Sequence, residues 1–225
     1  MCIRDSYFSV GPTAPAAIRW MINTVFMAVM SMILTCITAA MAGYALAKKR
    51  FVGRKLLFTL IVCAMALPKQ VILIPLLREM SALNLYNTIW AVIFPIVGWP
   101  FGVFLMKQFS EGIPTEMLEA ARIDGASEWK IFSNIMLPLG SNVTITLTIF
   151  SFMWRWNDYI LPLLVLSDQK KYTIQIAIKN FIGNTGVDWS SILAASVLSI
   201  LPIVILFMIL QKYIVGGVSA GGVKG

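Results

Sequence analysis

From Met21 to Ala47 the chain runs without a single charged residue. A surface helix of a water-soluble protein needs a polar face along its length, and this run has none. It also exceeds the roughly 20 apolar residues that cross a bilayer as a helix. Comparable runs, interrupted by few charges, recur at Leu56–Leu77, Thr88–Met106, Leu139–Leu166 and Ile192–Ile214. Across 225 residues, 59% are hydrophobic and 12% charged, about half the charge of a typical soluble domain. That leaves too little polar surface to coat a soluble enzyme. The sequence therefore predicts an all-α integral membrane helical bundle with five transmembrane helices, its membrane domain covering residues 21–214.

The charges orient the bundle. Lys48, Lys49, Arg50, Arg54 and Lys55 fall within eight residues between two apolar runs. Such clusters are retained on the cytoplasmic side by insertion bias and anionic lipids. By alternation the first run enters from outside, Leu56–Leu77 returns outward with bends at Pro68 and Pro75, and Thr88–Met106 runs inward. Pro95, Gly98, Pro100 and Gly102 in that third run predict an irregular, buried helix, because in lipid such breakers need neighbours to satisfy the freed backbone groups. Residues 107–138 become a cytoplasmic loop, Ser167–Ser190 an external segment, and the glycine-rich residues 215–225 a cytoplasmic tail. Along the first run, Ala28, Ser31, Thr35, Thr38 and Ala42 recur three and four apart, a stripe that lets a second helix approach closely.

Several chemistries are excluded. With no histidine, imidazole bases and histidine-ligated metals are absent. Cys2, Cys36 and Cys63 lack metal-ligand spacing and read as packing residues. The net charge of +8 sits largely between apolar runs rather than on an exposed basic face, so nucleic acid is not the expected partner. The sequence offers no catalytic residue set and no metal site. Residues 1–20 read as an external N-terminal segment. Met1–Ser6 lacks every signal-peptide feature and joins abruptly to Tyr7, which reads as a truncated or mis-assembled start.

The long polar segment carries the strongest pattern. Pro114 with Thr115 predicts a helix start, with Glu116 and Glu119 near the positive end of the helix dipole. Gly125 predicts a left-handed stop, and Ser127 the N-cap of a second helix reaching Met136. Two short amphipathic helices joined at a glycine form a knuckle that can enter a groove on a soluble partner. A lipid-facing amphipathic linker is the plainer reading of the same helices.

Glu119-Ala120-Ala121, then Gly125 after three residues, then Ile135-x-Leu137-Pro138 after nine more, resembles the EAA motif of binding-protein-dependent ABC importer permeases. Asp124, Trp156-Asn157-Asp158 and the ending Gly221-Gly222-Val223-Lys224-Gly225 are similar to its carbohydrate-uptake branch, of the maltose type. The resemblance covers roughly residues 20–225 and implies six spans, the first of them missing here. It assigns ATPase coupling to Glu119, Ala120, Ala121, Asp124, Gly125, Ile135, Leu137 and Pro138. The partners it implies are a cytoplasmic ABC ATPase dimer, a second permease subunit, an external solute-binding protein, a sugar or oligosaccharide substrate and the lipid bilayer. It places the protein in a bacterial or archaeal cytoplasmic membrane. This chain has no G-x-x-x-x-G-K-[ST] phosphate loop, so no cofactor is expected on it, with ATP and Mg on the partner subunits.

The fourth run carries Ser141, Thr144, Thr148, Ser151, Arg155 and Asp158 three and four apart, making one helical face polar over about 25 Å. Arg155 and Asp158 are spaced to pair. With Trp154, Trp156 and Asn157 beside them, this face suits either a solute path for a sugar or an interfacial tryptophan belt with polar helix contacts. The external segment, with Asp168, Lys170, Lys171, Lys179 and the mildly apolar Thr173–Ile182, reads either as a binding-protein contact or as a solvated connection. Competing readings are an ABC permease for peptides, amino acids or phosphate, which lacks the Trp156-Asn157-Asp158 signature, and a secondary carrier, whose internal repeats are not visible. An intramembrane enzyme is weakest, because Asp158 has no acidic partner in a neighbouring run.

Overall fold

A computed structural model of the chain describes residues 14–180, 182–183, 186–187 and 189–221. The expectations for Met1–Ser6 and for Gly222–Gly225 lie outside the described residues. The regular structure of the described residues is helical, apart from one antiparallel pair of two-residue strands. In order, α1 spans Ala14–Lys48, α2 Arg54–Met65, α3 Lys69–Ala82 and α4 Trp90–Ile93. A 3₁₀ turn at Phe94–Ile96 leads to α5, Pro100–Glu111, and α6, Thr115–Ile123. Next come α7 at Glu128–Ile131, a π turn at Phe132–Met136, α8 at Leu137–Leu139 and α9 at Ser141–Trp156. The chain closes with α10 at Ile160–Val165, a 3₁₀ turn at Gln169–Lys171, α11 at Ile174–Asn180, β1 at Ile182–Gly183, β2 at Gly186–Val187 and α12 at Trp189–Gly221.

Among the described residues three helical stretches are long and apolar enough to cross a membrane: Ala17–Lys48, Trp90–Glu111 and Ile192–Ile209. The number rises to five if two bent pairs each count as one span. Differences from the expected spans have local causes. The second run breaks into α2 and α3 at Pro68, whose ring and missing N–H end a helix before it, whereas Pro75 lies inside α3. The fourth run divides at Asn157–Tyr159, so α9 stops at Trp156 and Asp158 lies just beyond it. The last helix does not end at Ile214 but continues through Gly221, so the first part of the expected glycine-rich tail is helical.

The described residues fall into two compact units. One comprises residues 14–31, Ile72–Pro95 and Ser151–Ile209. Its buried residues include Trp20, Met27, Ala91, Ile93, Trp156, Val165, Ile176 and Ala177. Here the stretch after Ser167 is no free connection. The Trp20 indole donates to Gln169 O at 2.7 Å and Asn23 Nδ2 donates to Lys170 O and Tyr172 O. Thr24 Oγ1 accepts the Ile174 N–H at 2.8 Å. Asn87, at φ 58, accepts the N–H groups of Ser167 and Asp168 on its Oδ1. With Ile174, Ile176 and Ala177 buried, the Thr173–Ala177 portion is packed structure, and the solvated-connection reading fails for it.

The other unit comprises Met32–Val71, Ile96–Phe150 and residues 210–221. Its core joins Ala39, Ala40, Tyr44, Leu46, Val103, Met106, Ile113, Leu118, Ile131, Phe132, Met136 and Leu147. Two members of the small-residue stripe meet irregular backbone. Thr35 and Thr38 donate to the carbonyls of Ile96 and Val97, at 3.4 and 2.6 Å, satisfying backbone groups next to the Trp99–Pro100 irregularity. Helices also approach closely at Gly43 and Gly102: a Cβ on Gly102 would meet Ala39 Cβ and Leu147 at 3.2 Å.

Candidate functional site

The polar segment folds as a knuckle seated on the core just described. Pro114, with ψ 132, ends the preceding turn and opens α6 at Thr115. Leu118 is fully buried and fixes α6 to the core, while Glu116, Met117, Glu119 and Ala120 are exposed. The helix closes as a Schellman motif: Gly125 N–H donates to Arg122 O at 3.0 Å and Ala126 N–H to Ala121 O at 2.9 Å. This motif needs a left-handed residue between helix and exit, and Gly125 supplies it at φ 77. Ser127 then caps α7, its Oγ accepting the Lys130 N–H at 3.3 Å. Ile131 is fully buried, the counterpart of Leu118 on the second arm.

Between these anchors the surface is open and mixed, with Glu119, Arg122, Asp124, Glu128 and Lys130 exposed beside apolar side chains. Ile123 is 86% exposed and Trp129 64%. The expected coupling residues therefore separate by place. Glu119, Ala120, Asp124 and Gly125 stand on the open side, as does Pro138 at the end of the second arm. Ala121, Ile135 and Leu137 pack against the core from behind. The chain bends by 77° between Glu128–Leu139 and α9, with Gly140 at the break. Glu128, Trp129 and Lys130 on that arm are exposed.

The sequence pattern misses the charge cluster that fastens this knuckle. Glu128 forms ion pairs with Lys49 and, at 3.1 Å, with Arg122 Nε, and accepts the Tyr44 hydroxyl at 2.9 Å. These groups, Lys49 foremost, hold its carboxyl down to about 2, well below the usual range. Lys48 donates to Ile113 O. The basic cluster after α1 and the loop 107–138 thus meet, as their assignment to one side of the membrane requires. The signal available in the sequence was an acid following an N-cap serine, with nothing to say which of many cations would meet it.

The polar face of the fourth run is distributed over both units. In the unit containing Ile96–Phe150, Thr148 Oγ1 donates to Thr144 O at 2.8 Å and lies 3.5 Å from Cys36 Sγ. Thr144 Oγ1 is buried without a partner among the described residues. In the other unit, Arg155 Nη1 pairs with Asp158 Oδ2 at 3.1 Å, their side chains 6% and 16% exposed. Ser151 Oγ is buried and unpartnered there. Trp156 is fully buried and its indole donates to Ser199 O at 2.8 Å, so it packs inside its unit. Trp154 and Asn157 are exposed, Asn157 Nδ2 donating to Met153 O. A cavity of about 10 Å³, lined by Thr24, Ser31, Arg155, Asp158 and Thr173 among others, lies beside the ion pair. It has room for about one water molecule and none for a sugar ring. No group of three metal-ligating side chains occurs among the described residues.

Comparison with known proteins agrees with this architecture. The model of a family described as the binding-protein-dependent transport system inner membrane component matches residues 37–220. The chain is 36% identical over 221 residues to the arabinooligosaccharides transport system permease protein AraQ of Halalkalibacterium halodurans, covering 98% of this chain and 79% of that protein. It is 37% identical over 207 residues to the melibiose/raffinose/stachyose import permease protein MelC of Bacillus subtilis, covering 91% and 75%. Among solved structures, a chain of a bacterial ABC transporter involved in the import of the acidic polysaccharide alginate superposes with a TM-score of 0.83 at 26% identity, covering 93% of this chain and 79% of that one. A match over this much of the sequence, at these identities, leaves one membership: the chain belongs to the inner membrane components of binding-protein-dependent transport systems, the permease subunits of ABC importers.

Proposed function

We propose that this permease imports a sugar or short oligosaccharide, together with a second permease subunit, an external solute-binding protein and a pair of cytoplasmic ATPases that bind ATP and Mg. The observation that carries the reading is the knuckle itself. An apolar tip at Ile123 and Trp129, exposed on a helix pair locked at its root by Leu118 and Ile131, suits docking into a groove on a soluble subunit. Closure of the ATPase pair displaces the knuckle, and the spans carry that displacement to the solute cavity. The binding protein biases the cycle only by preferring the outward-open state, since a ligand shifts such an equilibrium solely through differential affinity.

Support for a sugar comes from the transport systems named for the relatives above and from the Trp156-Asn157-Asp158 sequence. The cavity beside the ion pair Arg155–Asp158 is too small for a sugar ring. Of the residues proposed for the solute path, Trp154 and Asn157 are exposed, whereas Trp156 is packed inside its unit. The exposed Trp154 and Asn157 offer a sugar an aromatic face and an amide. The test is reconstitution of the chain with its proposed partner ATPase, permease and binding protein, followed by uptake of labelled arabinotriose, melibiose and raffinose. ATP-dependent uptake of at least one is expected. Uptake confined to peptides, amino acids or phosphate overturns the sugar assignment, and failure of the ATPase to co-purify overturns the importer reading.

A further inference from the structure

Glu128 stands one residue past the knuckle's second N-cap, outside the EAA pattern, and holds three groups at once. Two of these, Tyr44 and Lys49, belong to the end of α1 and the residue after it, and the third, Arg122, belongs to α6. The Lys49 N–H donates to Ala45 O at 3.0 Å, so Lys49 moves with the last turn of α1. The ring of Tyr44 lies 5.6 Å from that of Phe132, and Phe132 lies 5.5 Å from Trp129, which makes a second, apolar connection parallel to the charged one. Lys48 adds a third attachment through Ile113 O, just before α6.

We infer that Glu128 is a positioning residue, a tie between the knuckle and the cytoplasmic end of α1 that makes the two move as one body when the ATPases close. A surface ion pair alone stabilises little. Three donors converging on one carboxylate from two elements do something else: they remove relative freedom between those elements. The displacement of the knuckle is then delivered directly to α1, the longest helix among the described residues, rather than through the turn at Gly112 and the length of α5. This rests on the importer reading, because without an ATPase there is nothing to push the knuckle.

The experiment uses the complete importer in nanodiscs, with Cys2, Cys36 and Cys63 replaced by serine and spin labels on cysteines at Arg50 and Lys130. Electron–electron distance measurements are made without nucleotide and with ATP and vanadate. In the otherwise unchanged protein the label-to-label distance is expected to be the same in both states. In Glu128→Gln it is expected to broaden and to shift by several ångströms on adding nucleotide. Tyr44→Phe with Lys49→Met, which keeps Glu128 and its Arg122 contact and removes only the links to α1, should do the same, and serves if Glu128→Gln does not assemble. A merely structural role predicts an altered distance in both states alike, not one that depends on nucleotide. A nucleotide-dependent shift in the parent protein, or none in either variant, overturns the tie while leaving the importer reading in place. Absence of the ATPase from the parent preparation overturns both.

Discussion

Gly43 and Met106 approach so closely that a Cβ built on Gly43 would lie 2.6 Å from that of Met106 and 2.7 Å from the Lys107 nitrogen. Two helices meet here backbone to backbone, and no rotamer change can relieve a clash with main-chain atoms. Gly43→Ala is expected to destabilise the unit by about 1–3 kcal/mol, the usual cost of overpacking. Gly98, whose added Cβ would meet nothing, is the control position. Thermal unfolding of the detergent-solubilised protein measures both. Equal melting temperatures for Gly43→Ala and Gly98→Ala would contradict the packing described.

At Gly125 the obstacle is the backbone alone, since a Cβ there would find open space while φ stays at 77. Gly125→Val is expected to strain the turn by about 1–2 kcal/mol and to weaken co-purification of the ATPase. Gly125→Asn, which tolerates the left-handed region, should retain most of it. Should valine and asparagine behave alike, the turn conformation is not what docking requires.

Arg155 and Asp158 form a nearly buried pair, and removing one partner strands the other. Asp158→Ala or Arg155→Met alone is expected to cost about 3–5 kcal/mol, while Arg155→Met with Asp158→Leu together recover most of that loss. Melting curves of the three variants test the coupling. Uptake assays on Asn157→Ala and Asp158→Ala test the proposed solute path separately: unchanged affinity and rate in both would remove these residues from it.

The Glu128 cluster is expected to respond to acid. Its folded-state value lies near 2, below the ordinary 4.5, so the contribution is complete above about 4.5 and is lost as pH falls from there toward 2. A spin label at Lys130 should become more mobile over that window, and high salt should weaken the effect because Glu128 is half exposed. In Glu128→Gln the label should be mobile at neutral pH and insensitive to acid.

What could be read in advance follows the range of the forces involved. Pro114, Gly125 and Ser127 act within a few residues of themselves, so their roles as helix start, left-handed stop and N-cap were legible from residue type and spacing. The stripe Ala28–Ala42 was legible as a contact face because size alone decides it. Glu128 was not, since its partners Tyr44 and Lys49 lie 84 and 79 positions away (128 − 44 and 128 − 49) and only the folded core brings them together. Trp156 looks like one of a pair of interfacial aromatics in sequence, yet the neighbour of an exposed tryptophan is fully buried. Both lie on α9, where two residues turn a helix by about 200°, so they face opposite sides, and residue type alone does not say which side is packed. Likewise, two prolines in the second run look equivalent, and only Pro68 breaks it.

The wide turn at Phe132–Met136 is wound with one residue more per hydrogen-bonded loop than its α-helical neighbours. Each residue rotates an α-helix by about 100°, so that surplus fixes the azimuth at which the second arm leaves toward Pro138. Excising Ser133 would let the stretch rewind and swing Trp129 by about a quarter of a revolution relative to Leu137. The aim of the stroke, as distinct from its strength, hangs on a single spare residue.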